Sequence, residues 1–455
     1  MSIDVRLLDV NEATRMTIQL NKEAAVGNTK NTPRLWVSET RQNLGQELHN
    51  RPSVEIATGT SISHIAVRIN QDQRVQELKQ LCSLCARYNV PPPEPDACCY
   101  YQSFTGFEIR WERHLEFSSY TFIRKGVSEA LFDSFAIEFV PQQWFDELVG
   151  DLVSAVNVIL SAEPPSDELL CQAFENHQVL GSTVSSGRAN VFTSFRIHSD
   201  GFSRVYIQTS VLNTYQAGRL VQRLLEIETY QMMALLSLPI AKALSADVAQ
   251  IEQRLVGINQ SMASINEADD GEMLSTLSHL ASQTEQILAD ISYRFSATDA
   301  YYELVCSRIS QLKEQELSHK ERLSEFVTRR LSPGVKTCQA LTRRLDALTS
   351  RIERASGLLR TRVDLSIEQQ NQKLLAAINR RGEVQLRLQQ IVEGVSIVAI
   401  VYYSMSLLDY VLNAFASVNL ALDKILVKGV AVPTLLLFTW LLMRFLLRAI
   451  KKQFQ

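Results

Sequence analysis

The pattern of hydrophobic positions divides the chain into a part that alternates strands with helices and a later part that is helical. SHIAVRI (63–69) alternates as a strand, whereas DQRVQELKQLCSLCARYNV (72–90) has helical spacing and stops at a run of prolines. LVSAVNVILS (152–161) is again typical of a strand. This succession predicts an α+β cytosolic domain over 36–212, preceded by a polar, weakly periodic segment (1–35) that is predicted to be a flexible tail.

From Thr214 onward the strand pattern is replaced by long helical spacing. We predict a helix kinked at Pro239, a second helix over 272–331 that Pro333 and Gly334 terminate, and a third from Lys336. Apolar residues of the third helix step by four and three, as in a coiled-coil seam. These residues are Leu341, Leu345, Leu348, Ile352, Ala355, Leu359 and Val363. Residues 213–393 are therefore predicted to form a stalk of long antiparallel or coiled-coil helices.

Two apolar stretches close the chain, at 394–415 and 430–447. The first has about 22 residues and the second about 18, close to the roughly 20 that a helix needs to cross a bilayer. The prediction is a two-helix transmembrane hairpin, with the stalk helix continuing directly into the first span. Residues 448–455 form a basic tail.

The first span contains an acidic residue, Asp409, which costs about 2.5–3.5 kcal/mol at the centre of a bilayer. Tyr402, Ser406, Asp409 and Asn413 follow at steps of four, three and four and form one narrow polar stripe. Such a stripe either hydrogen-bonds to a neighbouring helix or lines a water-filled pore in an oligomer.

Arg444 lies at a different depth in the second span from Asp409, so it is not predicted to neutralise this carboxylate. It is predicted to reach the membrane surface together with the basic residues of the tail. These membrane-interface anchors are Arg444, Arg448, Lys451 and Lys452.

Charge distribution sets the expected orientation. Arg380, Arg381 and Arg387 precede the first span, and basic residues also close the chain, so both termini are predicted to be cytoplasmic, with the protein in the inner (plasma) membrane. No export signal is recognised at the N-terminus, so the cysteines are expected to be reduced. A net charge of −3 over 455 residues provides no basic surface for nucleic acid, and no nucleic-acid partner is predicted.

Candidate chemistry outside the membrane is sparse. Cys82 and Cys85 form a C-x-x-C pair, and Cys98 and Cys99 follow, so four thiolates are candidates for a zinc site; the alternative is that they are small buried side chains. No phosphate loop, nucleophile elbow or H-E-x-x-H motif is present. The sequence therefore predicts neither an enzyme nor a bound cofactor.

Two histidine-containing segments resemble each other. RHLEFSSYTFI (113–123) and IHSDGFSRVYI (197–207) each have a histidine, an acid two positions later and then Phe-Ser, with Gly201 as a one-residue insertion in the second segment. This indicates a duplicated half-domain. If these segments are strands, His114 with Glu116 and His198 with Asp200 share a face, as a metal or acid–base pair would; otherwise they are polar residues of a solvated face or satisfied buried histidines.

Long motifs give the chain a family resemblance. ELHNRP (47–52), RWERHLEFSSYTF (110–122), FRIHSDGFSR (195–204), AGRLVQRLLEIETYQMMAL (217–235) and LLRTRVDLSIEQQNQKLL with LQQIVEGVSIVAIVYY are similar to the bacterial membrane-anchored family known as domain of unknown function 3422. The resemblance covers nearly the whole chain, and it implies no established activity.

In architecture the chain also resembles CorA-type magnesium channels, which are pentamers with a Gly-Met-Asn triplet after the first span. The corresponding segment here, YVLNAFASVNLALDKI, lacks this triplet. The hypothesis is therefore an oligomeric membrane protein with a CorA-like plan, whose partners are the lipid bilayer, further copies of itself and, if it conducts, metal cations. The alternative is a non-conducting, membrane-anchored scaffold.

Overall fold

The computed structural model describes residues 38–49, 53–126, 131–263, 270–416 and 424–453. The predicted N-terminal tail (1–35) lies outside these residues. So do the last part of the ELHNRP motif (50–52) and residues 417–423, which belong to the segment between the two predicted spans.

The described strands form one mixed sheet. They are β1 (Thr60–Arg68), β2 (Cys99–Phe104), β3 (Phe107–Arg113), β4 (Phe117–Lys125), β5 (Asp151–Ser161), β6 (Leu180–Val184), β7 (Ala189–Thr193), β8 (Ser203–Gln208) and the short β9 (Gln315–Glu316). Their order across the sheet is β2-β3-β4-β1-β5-β8-β7-β6-β9. Neighbouring strands are antiparallel except β5 and β8, which are parallel.

Short helices lie between the strands and long helices follow them. They are α1 (Glu39–His49), α2 (Arg74–Arg87), α3 (Gln142–Asp146), α4 (Asp167–Ala173), α5 (Thr214–Leu235), α6 (Ser237–Ala263), α7 (Asp270–Gln311), α8 (Leu323–Ala416) and α9 (Lys424–Gln453). Two short 3-10 helices occur at Gln71–Gln73 and Ala136–Phe139. The mixed sheet and long helices confirm the predicted combination of an α+β part and a helical part.

The chain divides into two compact units. Of the described residues, those up to Ala241 and those in Tyr293–Gln339 form the sheet unit, and those in Lys242–Ser292 and from Ala340 onward form the helical unit.

Both faces of the sheet are covered within the sheet unit. Alternate residues of the strands pack against α5 on one face, for example Ile62, Val158 and Ile207 against Leu220 and Leu224. Residues at the intervening positions point to the opposite face, which α2, α3 and α4 cover. The larger side chains there are Leu81, Trp111, Tyr120, Phe122, Trp144 and Phe174. Each large apolar side chain buried in this way contributes roughly 1.5–3 kcal/mol relative to its exposed state, so the sheet unit has a substantial core.

The predicted helix break at Pro333 is wrong. The preceding helix, α7, ends at Gln311, and α8 begins at Leu323 and passes through Pro333 without ending. Proline inside a helix removes one hydrogen bond and costs about 3 kcal/mol. Leu331 and Val335 on either side of it are buried in an apolar cluster of the sheet unit, and this burial offsets the cost.

The helical unit buries the predicted coiled-coil seam within a single chain. Six of its seven residues, from Leu341 to Leu359, are at most 4% exposed, and Val363 is partly buried. Ion pairs join α8 to α6 through Arg344 and Glu252 at 2.8 Å, and to the start of α7 through Arg362 and Asp270 at 3.1 Å. Later apolar residues of α8 have no such cover. Leu374, Ile378, Leu388 and Ile391 are each more than half exposed.

The predicted duplication has a partial counterpart in strand order. The first four strands lie in the order β1-β4-β3-β2 and the next four in the order β5-β8-β7-β6. However, β1 and β4 are antiparallel, whereas β5 and β8 are parallel. The two halves therefore repeat an order of strands but not their directions, and the duplication stays a prediction.

Candidate functional site

A cavity of about 240 Å³ lies between helix α5 and the strands β1, β3 and β4. All the residues that line it belong to the sheet unit. Its apolar wall includes Ile56, Phe117, Val221 and Leu225. Its polar and charged residues are His64, Arg110, Glu112, His114, Ser119, Thr121, Gln222, Glu226, Thr229 and Arg308.

Strand register brings the polar wall together. Arg110 of β3 is opposite Thr121 of β4, and Thr121 is opposite His64 of β1, so these three form one row across the sheet. The next row contains Glu112 and Ser119. Because side chains alternate between the two faces of a strand, both rows point toward α5, while Ile109 and Trp111 point into the opposite core.

His64 is an uncharged part of this wall. Its Nδ1 lies 2.9 Å from the Thr121 hydroxyl and its Nε2 lies 3.3 Å from the Thr229 hydroxyl of α5. Burial, reinforced by His114 and Arg110, lowers the pKa of His64 to about 3. The imidazole is therefore neutral at physiological pH, and it links the sheet to the helix through two hydroxyl contacts.

Two ion pairs supply the charges of the cavity. Arg110 Nη2 lies 2.8 Å from Glu112 Oε1, and both side chains are about one-tenth exposed. Arg308 of α7 pairs with Glu226 of α5. The two guanidinium charges balance the two carboxylate charges, so these four residues add no net charge to the cavity. They still offer both positive hydrogen-bond donors and negative acceptors.

A close approach of backbone segments positions α5. A Cβ atom placed on Gly218 would lie 1.8 Å from the carbonyl oxygen of Val54, so only glycine fits there. The helix begins with a capping box in which the Asn213 side chain accepts a hydrogen bond from the Gln216 backbone N–H. These features fix both the start of α5 and its distance from the segment that leads into β1.

Three of the motifs that carried the family resemblance contribute to this part of the structure. RWERHLEFSSYTF (110–122) supplies β3 and β4, AGRLVQRLLEIETYQMMAL (217–235) supplies α5, and FRIHSDGFSR (195–204) lies in the β7–β8 connection and the start of β8. The profile of the family described as "Protein of unknown function (DUF3422)" matches residues 38–450. The chain belongs to the DUF3422 family. Comparison with curated proteins and with solved structures found no match.

Several predicted site residues of this DUF3422 chain lie in loops rather than on strands. His114 and Glu116 fall between β3 and β4, and His198 and Asp200 fall between β7 and β8, so the prediction that each pair shares a strand face is wrong. The alternation of polar and apolar residues continues from the strands into these loops, so the sequence pattern does not show where the strands end. His114 lines the cavity and stacks on Phe117, whereas Glu116 pairs with Arg294 at 2.9 Å.

His198 does not pair with Asp200. Asp200 contacts Arg204 at 3.0 Å, while His198 Nδ1 lies 3.4 Å from a carboxylate oxygen of Glu175. His177 is close to both, and the potential ligand atoms of Glu175, His177 and His198 all lie within 4.8 Å of one another. Burial, followed by the charge of Arg204, lowers the pKa of His198. Sequence reasoning found His198 but missed both neighbours, which come from a distant loop.

The predicted cysteine site stays a prediction. Cys82 and Cys85 lie in α2, Cys98 directly precedes β2 and Cys99 begins it. The Sγ atom of Cys85 contacts the Tyr100 hydroxyl at 3.3 Å, and burial raises the pKa of this thiol. Within the described ranges, the group of close metal-ligating atoms is the one at Glu175, and the four cysteines are not part of it.

The polar stripe of the first predicted span lies on the last part of α8. Tyr402, Ser406 and Asn413 are exposed, whereas Asp409 is half-buried and forms an ion pair with Lys428 of α9. Lys428 lies just before the predicted second span (430–447), so the sequence did not indicate it as a partner of Asp409. Because α9 begins at Lys424, Lys428 lies within this helix.

The predicted interface anchors lie toward the end of α9. The Arg444 guanidinium is 4.8 Å from the ring centroid of Trp440, a cation–π contact typical of a membrane-interface pair. Arg448, Lys451 and Lys452 lie on the same helix, but their side chains are outside the described part of the structure.

Proposed function

We propose that this DUF3422 chain is a membrane-anchored protein whose sheet unit binds a small zwitterionic metabolite in the cavity beneath α5. The observation that carries the proposal is the cavity itself, with two Arg–Glu pairs, a neutral histidine and an apolar wall. Its volume of about 240 Å³ is near the lower limit of small-molecule sites, which favours a ligand of amino-acid size.

Ligand chemistry follows from the arrangement of the charges. Arg110 and Arg308 each have a fork of N–H donors suited to a carboxylate, and Glu112 and Glu226 are suited to an ammonium group. Leu225, Val221 and Phe117 provide contact surface for an apolar side chain. A zwitterion can exchange partners with both ion pairs at once, so no buried charge is left unpaired.

A titration of the detergent-solubilised full-length chain with a panel of L-amino acids tests this proposal. A ligand at 100 times its Kd is expected to raise the free energy of unfolding by about 2.7 kcal/mol. Arg110→Gln is expected to weaken its binding at least tenfold, because a charge-assisted contact contributes about 1.5–3 kcal/mol.

Arg322→Gln is the matched control, since Arg322 pairs with Glu325 on the surface and does not line the cavity. The proposal fails if no amino acid stabilises the wild-type chain, or if Arg110→Gln and Arg322→Gln bind the ligand equally well.

The anchoring part of the proposal rests on three helices that are long and apolar enough to cross a membrane. The apolar windows in Leu323–Ala414 and Ile425–Phe445 are 6% and 0% buried, so nearly all of their side chains lack protein cover in the described structure. The window within Thr214–Ala263 is 28% buried, and α5 in that range packs on the sheet. We therefore propose that the end of α8 and α9 form the anchor, and the basic residues on either side of it support a hairpin with both chain termini cytoplasmic.

The contact between Asp409 and Lys428 favours an anchor over a pore. It joins the two apolar helices and neutralises the acidic charge within one chain. A carboxylate that is paired with a lysine attracts cations more weakly than a ring of unpaired carboxylates would.

Breaking this pair gives the second prediction. Asp409→Asn or Lys428→Gln leaves one uncompensated charge in or near the apolar layer, at a cost of about 2.5–3.5 kcal/mol at its centre. The double variant Asp409→Asn/Lys428→Gln carries neither charge. We expect each single variant to insert less efficiently, and the double variant to recover, when a reporter fused after residue 455 measures cytoplasmic placement of the C-terminus.

Thr434→Ala is a suitable control, because its hydroxyl is bonded only to carbonyls of its own helix. Equal insertion of all four variants would show that the ion pair does not stabilise the hairpin.

Cation conduction by a CorA-like oligomer is the second candidate function. The observation in its favour is the exposure of Tyr402, Ser406 and Asn413 on one side of α8, which copies of the chain arranged around an axis would turn toward a pore. Exposed Leu374 and Ile378 on the same helix are suited to contact between copies. Conduction requires the native mass of a ring and cation flux in reconstituted vesicles that Asp409→Asn reduces. A single-chain particle would exclude it in favour of the anchored binding protein.

A further inference from the structure

We propose a divalent metal site of the zinc type in the sheet unit, with Glu175, His177 and His198 as its protein ligands. The three potential ligand atoms lie within 4.8 Å of one another. Two histidines and one glutamate form a ligand set suited to Zn²⁺, with a further position left for water. The site lies on the opposite face of the sheet from the cavity beneath α5, and the proposal does not depend on a metabolite in that cavity.

His198 provides the most direct evidence. The residue is 4% exposed, and its Nδ1 makes no hydrogen bond of ordinary geometry among the described residues; its polar neighbour there is Glu175 Oε2, at 3.4 Å. Its other ring nitrogen, Nε2, lies 3.0 Å from the Ser194 hydroxyl, which orients the ring. A buried imidazole that is held through one nitrogen while the other is left for a metal is the usual arrangement of a histidine ligand.

The distance between His198 and Glu175 matches this geometry. His198 Nδ1 and Glu175 Oε2 are 3.4 Å apart. Two ligand atoms bound at about 2.0–2.1 Å to a tetrahedral ion are separated by roughly 3.3–3.4 Å. His177 is partly buried and lies in a loop, and its ring centroid is 5.5 Å from that of His198. A ring nitrogen of His177 lies within 4.8 Å of the ligand atoms of both other residues, which makes it the third ligand of the proposed site.

Backbone strain places Glu175 in this position. Helix α4 ends in a Schellman motif, in which Asn176 N–H donates to the Cys171 carbonyl and Glu175 N–H donates to the Gln172 carbonyl. The φ angle of Glu175 is +51°, a left-handed conformation that favours glycine and costs another residue about 1–2 kcal/mol. This turn directs the Glu175 side chain toward the β7–β8 loop, where the cost is consistent with a binding role.

Neighbouring groups hold the carboxylate without neutralising the site. The Ser199 hydroxyl donates to Glu175 Oε1, and Arg204 contacts the same oxygen at 3.3 Å. Arg204 also pairs with Asp200 at 3.0 Å, so the two carboxylates outnumber the one guanidinium. The remaining negative charge favours a divalent cation, and Oε2 of Glu175 faces His198.

Zinc titration of the full-length chain, purified in detergent and stripped with a chelator, tests this site. The wild-type protein is expected to bind about one Zn²⁺ per chain and to unfold at a higher temperature when loaded. His177→Ala removes a partly exposed ligand and is expected to lower the affinity by at least tenfold. Ser194→Ala, which releases the orientation of His198, is expected to weaken binding by about 10–100-fold.

His279→Ala is the matched control, because His279 is exposed on α7 in the helical unit. Circular dichroism of each metal-free variant checks that the fold is retained. The proposal is overturned if the wild-type chain binds no zinc, or if His177→Ala binds zinc as tightly as the control. It is also overturned if Cys82→Ser/Cys85→Ser abolishes binding while His177→Ala does not, which would assign the metal to the cysteines.

Discussion

Gly218→Ala is expected to destabilise the sheet unit by about 3 kcal/mol, although glycine-to-alanine changes inside helices ordinarily stabilise by about 0.5–1 kcal/mol. The new Cβ would lie 1.8 Å from the carbonyl oxygen of Val54 and 3.0 Å from its carbonyl carbon. Both atoms are backbone, so no side-chain rotation relieves the clash. Helix α5 would have to move away from the sheet, with loss of contacts around Leu220 and Leu224.

Gly257→Ala is the matched control, since Gly257 lies inside α6 and a Cβ there meets no atom within 4 Å. This control is expected to be neutral or to stabilise by up to about 1 kcal/mol. Chemical unfolding of both variants in the full-length chain measures the difference. A gain of stability for Gly218→Ala would mean that α5 does not lie against the Val54 backbone as described.

Glu77→Ala is expected to destabilise the sheet unit at least as much, by about 3–5 kcal/mol. The Glu77 carboxylate is 1% exposed and accepts hydrogen bonds from Trp111 Nε1 at 2.8 Å and from Arg113 Nη2 at 3.0 Å. The Tyr120 hydroxyl also contacts it, at 3.4 Å. Alanine would remove the carboxylate to which the indole N–H and the Arg113 guanidinium donate in a largely buried environment, and this loss costs more than the pair itself contributes.

Glu94→Ala serves as the control, because Glu94 is exposed and a surface change of this kind is usually within about 0.5 kcal/mol. Glu77→Gln separates charge from hydrogen bonding, since the amide oxygen can still accept from Trp111 but carries no charge for Arg113. The midpoint of thermal unfolding should therefore fall in the order wild type, Glu77→Gln, Glu77→Ala. Similar midpoints for Glu77→Ala and Glu94→Ala would contradict the role given to this carboxylate.

Neither of these two residues stands out in the sequence. Glu77 lies in a helix rich in charged residues, and its burial depends on Trp111 and Arg113, which are more than thirty positions away. In the sequence, Gly218 looks like a residue that weakens a helix. Its role becomes visible only in the structure, where the Val54 backbone leaves no room for a Cβ atom. The polar residues of the cavity were missed for a similar reason, because Arg110 and Glu112 alternate with Ile109 and Trp111 as they would on a strand with one face in water.

The features that the sequence determined by itself are those that depend on residues close together in the chain. Period-two and period-3.6 patterns predicted strands β1 and β5, helix α2 and the apolar helices at the end of the chain, since those patterns depend on neighbouring residues alone. The seam from Leu341 to Leu359 was recognised from its spacing, and the structure confirms that it is buried. The family was recognised from long contiguous motifs, and the match over residues 38–450 confirms it.

Tertiary structure decided which residues meet. Proline at 333 is accepted inside α8 because burial of Leu331 and Val335 outweighs a lost hydrogen bond, a balance that a local rule cannot include. Asp409 pairs with Lys428, and His198 lies beside Glu175 and His177 rather than pairing with Asp200, because the fold brings residues from separate segments into contact. Contacts between residues far apart in the chain depend on loop closure and on the packing of the whole unit. The spacing of hydrophobic residues along the chain depends on neither, so it cannot predict these contacts.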